Sequence, residues 1–357
     1  MESEILESEI LERYDDVAVN CLTGCYSALA GMLGRPVPEQ AVFERGGGYL
    51  FQAGLDEAGY PEYIFPVEEV GSLGMTRSGF GMHKEPIDFT DPGRQLADLL
   101  ARFRGVVVWV NTAHLRYAEV YRDNAPYLHA VLIEDIAADR SHVTLLDTLV
   151  VGANPFACRA RLTLTDLVGA AGDRIKSDAH DGMGYFYAAA DEGPRPAGQV
   201  PGAEPGSAPR SQSHGGPGAG SGPGQLELGS QLADQAERFF AEERFHGAIR
   251  RYQELCEACF ADGPERAAVG ARRLFHHANV LYAVPSLALM GRSLQVAGAR
   301  AGSLALHEEA VRHWHAMGVL ALRFEATGAA SVLSRITQRF AQLDDVTGRL
   351  WESLRRA

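Results

Sequence analysis

The sequence lacks the features that mark several common classes of protein. No apolar run is long enough to span a bilayer, and the acidic N-terminus, Met1-Glu2-Ser3-Glu4-Ile5, is unlike the basic and then apolar start of a signal peptide. Basic residues are fewer than acidic residues, and the resulting net charge of -13 argues against non-specific binding to nucleic acid or to an anionic membrane. These absences predict a cytoplasmic protein that contacts neither nucleic acid nor membrane.

Cysteine is too scarce for a disulfide framework. The five cysteines are odd in number and widely spaced, which fits a reducing compartment. The pairs Cys21/Cys25 and Cys256/Cys259 lack the further ligands of a tetrahedral metal site. The glycine run at 46–48 lacks the Lys-Ser/Thr of a phosphate loop. We therefore expect no metal and no bound cofactor.

The chain has 357 residues, of which 46% are hydrophobic, and this is sufficient for two ordinary domains. Residues 192–225 are nearly all Gly, Pro, Ala and Ser, a composition that predicts a disordered linker. Residues 1–191 mix helical and strand patterns, whereas residues 226–357 carry apolar residues at three- and four-residue spacing throughout. The sequence thus predicts a mixed domain at 1–191, a linker, and a helical domain at 226–357.

The order of elements in the first part predicts an α+β fold. A helix at 22–33 comes first, and short helices follow at 39–43 and 94–104. Apolar stretches at 106–110, 130–136, 143–146 and 185–188 are typical of strands in a sheet. A leading helix followed by an antiparallel sheet is the layout of papain-like proteins. After the linker we expect helices at 226–261, 264–282, 286–299, 302–324 and 330–355.

Three residues have the order and contexts of a papain-like catalytic site. Cys21 precedes the first helix, where the helix dipole and a neighbouring imidazolium stabilise a thiolate. His129 opens one predicted strand and Asp147 closes the next, as a base and its orienting carboxylate do. Cys25 is the competing thiol, and its position one turn inside the helix favours packing instead. Each of the three also has a structural explanation in place of a catalytic one. Cys21 would then be a small buried hydrophobic residue, His129 a histidine bonded to a carbonyl in the core, and Asp147 a turn residue bonded to its own backbone.

The run from Cys21 through Leu33-Gly34 to Val37-Pro38-Glu39-Gln40-Ala41-Val42-Phe43 and Gly46-Gly47-Gly48 resembles the opening of the butirosin biosynthesis protein H family. The segment Val107 to Tyr117 resembles that family's strand and following loop, and His129 and Asp147 match its histidine and strand-ending aspartate. The similarity covers roughly residues 15–190, and the helical region is alike in character only.

The resemblance implies a papain-like acyltransferase for specialised-metabolite biosynthesis. The acyl donor would be an acyl or peptidyl carrier protein bearing a phosphopantetheine thioester, and the acceptor would be a small-molecule amine. Cys21 would take the acyl group, His129 would act as the base, and Asp147 would orient it. Residues expected at the oxyanion hole or substrate pocket are Asn20, Asn111, His114 and Tyr117.

The sequence also departs from this pattern. Asn20 stands where the family has His, Asn111 replaces Asp, and Arg116 replaces Pro. Peptidases of the superfamily carry a Gln about six residues before the cysteine, and here that position is Asp15, whose charge would repel an oxyanion. A cysteine peptidase or amidase with the same triad is therefore the second hypothesis. A non-catalytic binding protein of this fold is the third.

Overall fold

The computed structural model describes residues 8–356 except 65–66, 124–125, 153, 174–182 and 193–222. The predicted linker therefore lies almost wholly outside the described residues. The strands are β1 Glu9–Tyr14, β2 Gln52–Leu55, β3 Pro61–Ile64, β4 Phe80–Pro86, β5 Val106–Asn111, β6 Leu128–Ile136, β7 His142–Val150, β8 Phe156–Thr163 and β9 Tyr185–Asp191. The helices among them are α1 Cys21–Met32, α2 Glu39–Arg45, α3 Val67–Arg77, α4 Pro92–Arg102, α5 Glu119–Asp123 and α6 Leu164–Gly172, with a 3₁₀ turn at Thr112–His114.

Seven strands form one antiparallel sheet in the order β1-β8-β7-β6-β5-β9-β4. Its central strands are apolar on both faces because both faces are covered. Val107, Trp109 and Leu132 belong to a core that includes α1, whereas Val108 and Val131 belong to a second core with α4 and α6. The remaining strands, β2 and β3, form a separate antiparallel hairpin.

The C-terminal region is helical. It contains α7 Pro223–Ala241, α8 Glu243–His246, α9 Ala248–Ala261, α10 Pro264–Arg273, a π-helical turn Leu274–Ala283, α11 Val284–Val296, α12 Ala301–Thr327 and α13 Ala330–Arg355. The single helix expected at 226–261 is in fact three, because the chain leaves helical geometry at Glu242 and at Gly247. Gly328, with φ of 59°, ends α12 in the left-handed conformation that glycine adopts freely.

The hairpin joins the sheet region to the helical region. Tyr63 on β3 stacks on Tyr282 with ring centroids 5.9 Å apart and meets Trp314 edge-on. Arg273 forms a largely buried ion pair with Asp56. The core that covers one face of the sheet continues without a break into the helical region, so the helices lie on the side of the sheet that carries α1.

The α+β class is therefore confirmed, with a large antiparallel sheet and a helical C-terminal region. Among the helices in the described ranges, none combines the length and the hydrophobicity needed to cross a bilayer.

Candidate active site

Cys21 is the first residue of α1. The side chain of Asn20 caps the helix, because its Oδ1 accepts hydrogen bonds from the backbone N–H groups of Leu22 and Thr23, each at 3.1 Å. The half-buried Cys21 thiol thus lies at the positive end of the helix dipole, where a thiolate is stabilised.

Cys25, the competing thiol, is fully buried. Its Sγ donates to the carbonyl of Ala130 at 3.5 Å and lies 3.9 Å from Thr148 Oγ1. Burial raises the pKa of the Cys25 thiol well above its ordinary value. A fully buried thiol that stays protonated is a poor nucleophile, so the geometry favours Cys21.

His129 and Asp147 meet across the neighbouring strands β6 and β7. His129 Nε2 lies 2.9 Å from Asp147 Oδ1, and both side chains are almost completely buried. Cys21 lies near enough to His129 to contribute to the raised pKa of the imidazole. Because Asp147 holds Nε2, the nitrogen left for the thiol is Nδ1. The structure therefore brings Cys21, His129 and Asp147 together in the predicted order.

Asp147 is a buried carboxylate with a full set of donors. Tyr117 and Tyr121 both donate to Oδ2, at 2.8 and 2.5 Å, and the backbone N–H of Leu149 donates to Oδ1 at 3.1 Å. Burial alone would raise the pKa of Asp147. His129 and the two tyrosine hydroxyls outweigh burial and hold that pKa below its usual range. Asp147 is therefore charged and fixed in orientation.

The charge of Asp147 decides the protonation of His129. Burial lowers the pKa of the imidazole, but the hydrogen-bonded Asp147 carboxylate and the nearby Cys21 raise it to about 10. The protonated ring is thus the stable form at neutral pH. An imidazolium that is held by a carboxylate and lies beside a cysteine is the arrangement that activates a cysteine nucleophile.

Asn20 offers only its side chain, and not its backbone N–H group, as a donor to an oxyanion. The backbone N–H of Asn20 donates to Glu39 Oε1 at 2.7 Å, so it is occupied. The backbone N–H of Cys21 and the Asn20 Nδ2 group have no hydrogen-bond partner within the described parts of the chain. These two groups are the donors that the geometry leaves for an oxyanion beside Cys21.

The other predicted substrate-site residues lie behind or beside the triad. Tyr117 is buried with its hydroxyl on Asp147, which makes it a support for the carboxylate. Asn111 Nδ2 and His114 Nε2 both bond to Asp173 Oδ2, at 3.1 and 3.0 Å. Contact of Asn111, His114 and Tyr117 with a substrate stays a prediction.

Sequence reasoning missed two residues that touch this site. Tyr121 donates to Asp147 and lies 3.3 Å from His129 Nε2. No helical spacing marks Tyr121, because it lies on α5 whereas Tyr117 lies in the turn before that helix. Thr148 donates to the Cys21 carbonyl at 3.3 Å. No local pattern marks Thr148, since its contact spans 127 residues of sequence.

A cavity of about 630 Å³ runs along α1. Glu39 and Thr148 form part of the cavity wall, whereas Cys21 does not. Glu39 bonds to backbone groups next to Cys21, and Thr148 bonds to the Cys21 carbonyl. Arg292 on α11 also contributes, so the cavity lies where the helical region meets the sheet region. Within the described ranges, no cluster of three His, Cys, Asp or Glu side chains is arranged to hold a metal ion.

Comparison with known protein families finds none that matches this sequence, and a search of curated proteins finds no similar chain.

Proposed function

We propose that this protein is a papain-like cysteine acyltransferase that moves an acyl group from a carrier-protein thioester to an amine and forms an amide. The observation that carries the proposal is the constellation at the start of α1: Cys21 opens the capped helix near His129, and Nε2 of His129 lies 2.9 Å from the buried Asp147 carboxylate. The donor and acceptor classes come from the family resemblance of the sequence.

In the first half-reaction the Cys21 thiolate attacks the carbonyl carbon of the phosphopantetheine thioester. The resulting oxyanion is stabilised by the Cys21 N–H and Asn20 Nδ2. When the intermediate collapses, the bond to the carrier sulfur breaks and the His129 imidazolium gives its proton to the leaving thiolate. The products are acyl-Cys21 and the free carrier thiol.

In the second half-reaction an amine attacks acyl-Cys21. His129, now neutral, takes the proton that the amine nitrogen loses, and Cys21 leaves as a thiolate. Asp147 stays charged throughout and stabilises the imidazolium that is present at the start of the first half-reaction and forms again in the second. Thioester exchange is nearly neutral in free energy, and the amide bond formed in the second step drives the sequence forward.

Aminolysis competes with hydrolysis, so water must be kept from acyl-Cys21. The helical region lies on the side of the sheet that carries α1, where it packs against α2 and the β2–β3 hairpin, and Arg292 reaches within 3.8 Å of Glu39 beside the nucleophile. This region is the candidate cover for the intermediate. The same triad would also serve a peptidase or amidase, which needs no carrier.

The experiment is to incubate the purified protein with a panel of acyl carrier proteins and amines and to follow the mass of the intact protein. We expect an acyl adduct on Cys21 that is discharged by an amine to give an amide, and no adduct on a Cys21→Ala protein. Cleavage of peptides or amides without a carrier would assign the protein to the hydrolases. A Cys21→Ala protein that forms the amide at the normal rate would refute the proposal.

A further inference from the structure

Glu39 is a buried carboxylate next to the nucleophile. It opens α2 and is only 7% exposed. Its side chain accepts hydrogen bonds from the backbone N–H groups of Val19 and Asn20, at 2.9 and 2.7 Å, and from the Thr23 hydroxyl at 3.0 Å. These three donors lie on both sides of Cys21 in the sequence, so one carboxylate holds the chain that enters and leaves the nucleophile.

The bonds to Glu39 determine how Asn20 is presented. With its backbone N–H held by Glu39, Asn20 adopts an extended conformation, with φ of -129° and ψ of 132°. This conformation lets its Oδ1 cap α1 through Leu22 and Thr23. The start of α1, and with it the position of the Cys21 thiol relative to His129, depends on that cap.

We propose that Glu39 is a positioning residue for Cys21, which fixes the loop 19–20 and the cap of α1 so that the thiol stays aligned with His129. The proposal rests on the proposed function only in taking Cys21 as the nucleophile. Glu39 acts through the backbone and does not itself touch the reacting atoms.

The charge of Glu39 has an opposite effect that must be weighed. A carboxylate near a thiolate disfavours the thiolate, so loss of the charge alone would speed the reaction of Cys21. Yet three hydrogen-bond donors point at this carboxylate, and the Arg292 guanidinium lies 3.8 Å from it. Because these groups offset much of its field, we expect the loss of alignment to dominate. Loss of the charge alone would raise the reaction rate of Cys21, whereas loss of alignment would lower it, so the measured rate distinguishes the two effects.

The test is Glu39→Gln in the full-length chain. Gln keeps the size of the side chain, but its NH₂ group cannot accept the bond from Val19. The measurement is the second-order rate constant for iodoacetamide at pH 7, resolved for Cys21 and Cys25 by peptide mass spectrometry. We expect alkylation of Cys21 to slow about tenfold, the order that a helix-start contribution of this kind supports, while Cys25 stays protected.

Glu44→Gln is the matched control. Glu44 is a fully buried carboxylate on the same helix α2, but it faces Ser293 of the helical region and not the loop 19–20. We expect the Cys21 rate in this variant to stay within twofold of the wild type. An equal slowing in both variants, or an unchanged or faster Cys21 in Glu39→Gln, would overturn the proposal.

Simple loss of structure gives a different signature. Partial unfolding exposes the buried Cys25 and speeds its alkylation, whereas loss of alignment slows Cys21 alone. If Glu39→Gln fails to fold, Thr23→Val removes the 3.0 Å hydroxyl bond to Glu39 together with a longer contact of 3.4 Å to Asn20 Oδ1, and is expected to slow Cys21 about threefold; no slowing there overturns the proposal. Since iodoacetamide needs no acyl donor, these outcomes stay separate from the failure of acyl transfer as the function.

Discussion

Two helices of this chain each carry a pair of cysteines, and the difference between them shows what makes a thiol a nucleophile. Cys21 and Cys25 begin α1, whereas Cys256 and Cys259 lie in the second half of α9. Cys256 is fully buried, and burial raises its pKa, as it raises the pKa of Cys25. Among these four cysteines, Cys21 alone combines a helix start with a histidine whose pKa it helps to raise. Position in the helix and the facing partner matter more than the spacing of the pair.

The largest effect on Cys21 is expected from a change to Asp147, the partner of His129. Asp147→Asn leaves the shape but takes away the charge that keeps His129 protonated, so we expect single-turnover acylation of Cys21 to fall about 10³-fold. Loss of one member of a buried ion pair should also lower the free energy of unfolding by about 3 kcal/mol. Rapid-quench mass spectrometry and urea denaturation measure the two effects.

Asp135→Asn is the control for that change, since Asp135 is exposed on the same strand pair. It should leave both quantities unchanged. Acylation of Asp147→Asn within tenfold of the wild type would show that Cys21 does not depend on this carboxylate.

The pH dependence of acylation is the next largest effect. The raised pKa of His129, about 10, places the loss of the imidazolium far above the ordinary histidine value of 6.5. Acylation should therefore stay high through neutral pH and fall about tenfold per unit above pH 10. The stability that the ion pair contributes is fully present between pH 3.8, the ordinary aspartate value, and pH 6.5; it is lost as the pH rises through about 10 or falls low enough to protonate Asp147. A decline of acylation that begins near pH 6.5 would contradict the ion-pair form.

A smaller effect is expected from the tyrosines that hold Asp147. Tyr121→Phe removes a hydrogen bond to the carboxylate and a contact with His129, and should slow acylation about tenfold and cost about 2 kcal/mol of unfolding free energy. Tyr117→Phe removes the bond to Asp147 only and should cost similar stability with less effect on rate. If Tyr117→Phe slowed the reaction more than Tyr121→Phe, the predicted substrate contact of Tyr117 would gain support.

The smallest effect belongs to the second helix. Cys256→Ala leaves a small cavity in the helical core and should lower the free energy of unfolding by about 1 kcal/mol. Acylation of Cys21 should not change. A loss of acylation beyond twofold would mean that α9 contributes to the reaction, and the contrast between the two helices would fail.

Much of the site could be predicted because its parts follow strong local patterns. The apolar helical run at 22–33 predicted the start of α1 to within one residue, and continuous apolar runs located β5, β6, β7 and β9. β8 was missed because its sequence, FACRARLT, places arginines among the apolar residues. β1 is an acidic edge strand whose outward charges hide its period.

The contacts made by Glu39 and Tyr121 could not be predicted in the same way. Glu39 lies 19 residues from Asn20, and Tyr121 lies 26 residues from Asp147. Each contact depends on how α2 and α5 pack against the sheet and not on any local sequence pattern. The sequence thus indicated the candidate catalytic residues Cys21, His129 and Asp147, whereas the residues that hold them required the tertiary structure.

The central claim is that Cys21 is a nucleophile activated by His129, and site-resolved alkylation tests it most directly. The native protein is treated with iodoacetamide at neutral pH, and the rate constant of each of the five cysteines is measured beside that of a His129→Gln protein. We expect Cys21 alone to react fast, with a rate constant at least tenfold above that of a free thiol. In the His129→Gln protein we expect the Cys21 rate constant to fall to that of a free thiol. A Cys21 that reacts at the rate of an ordinary thiol in both proteins would contradict it.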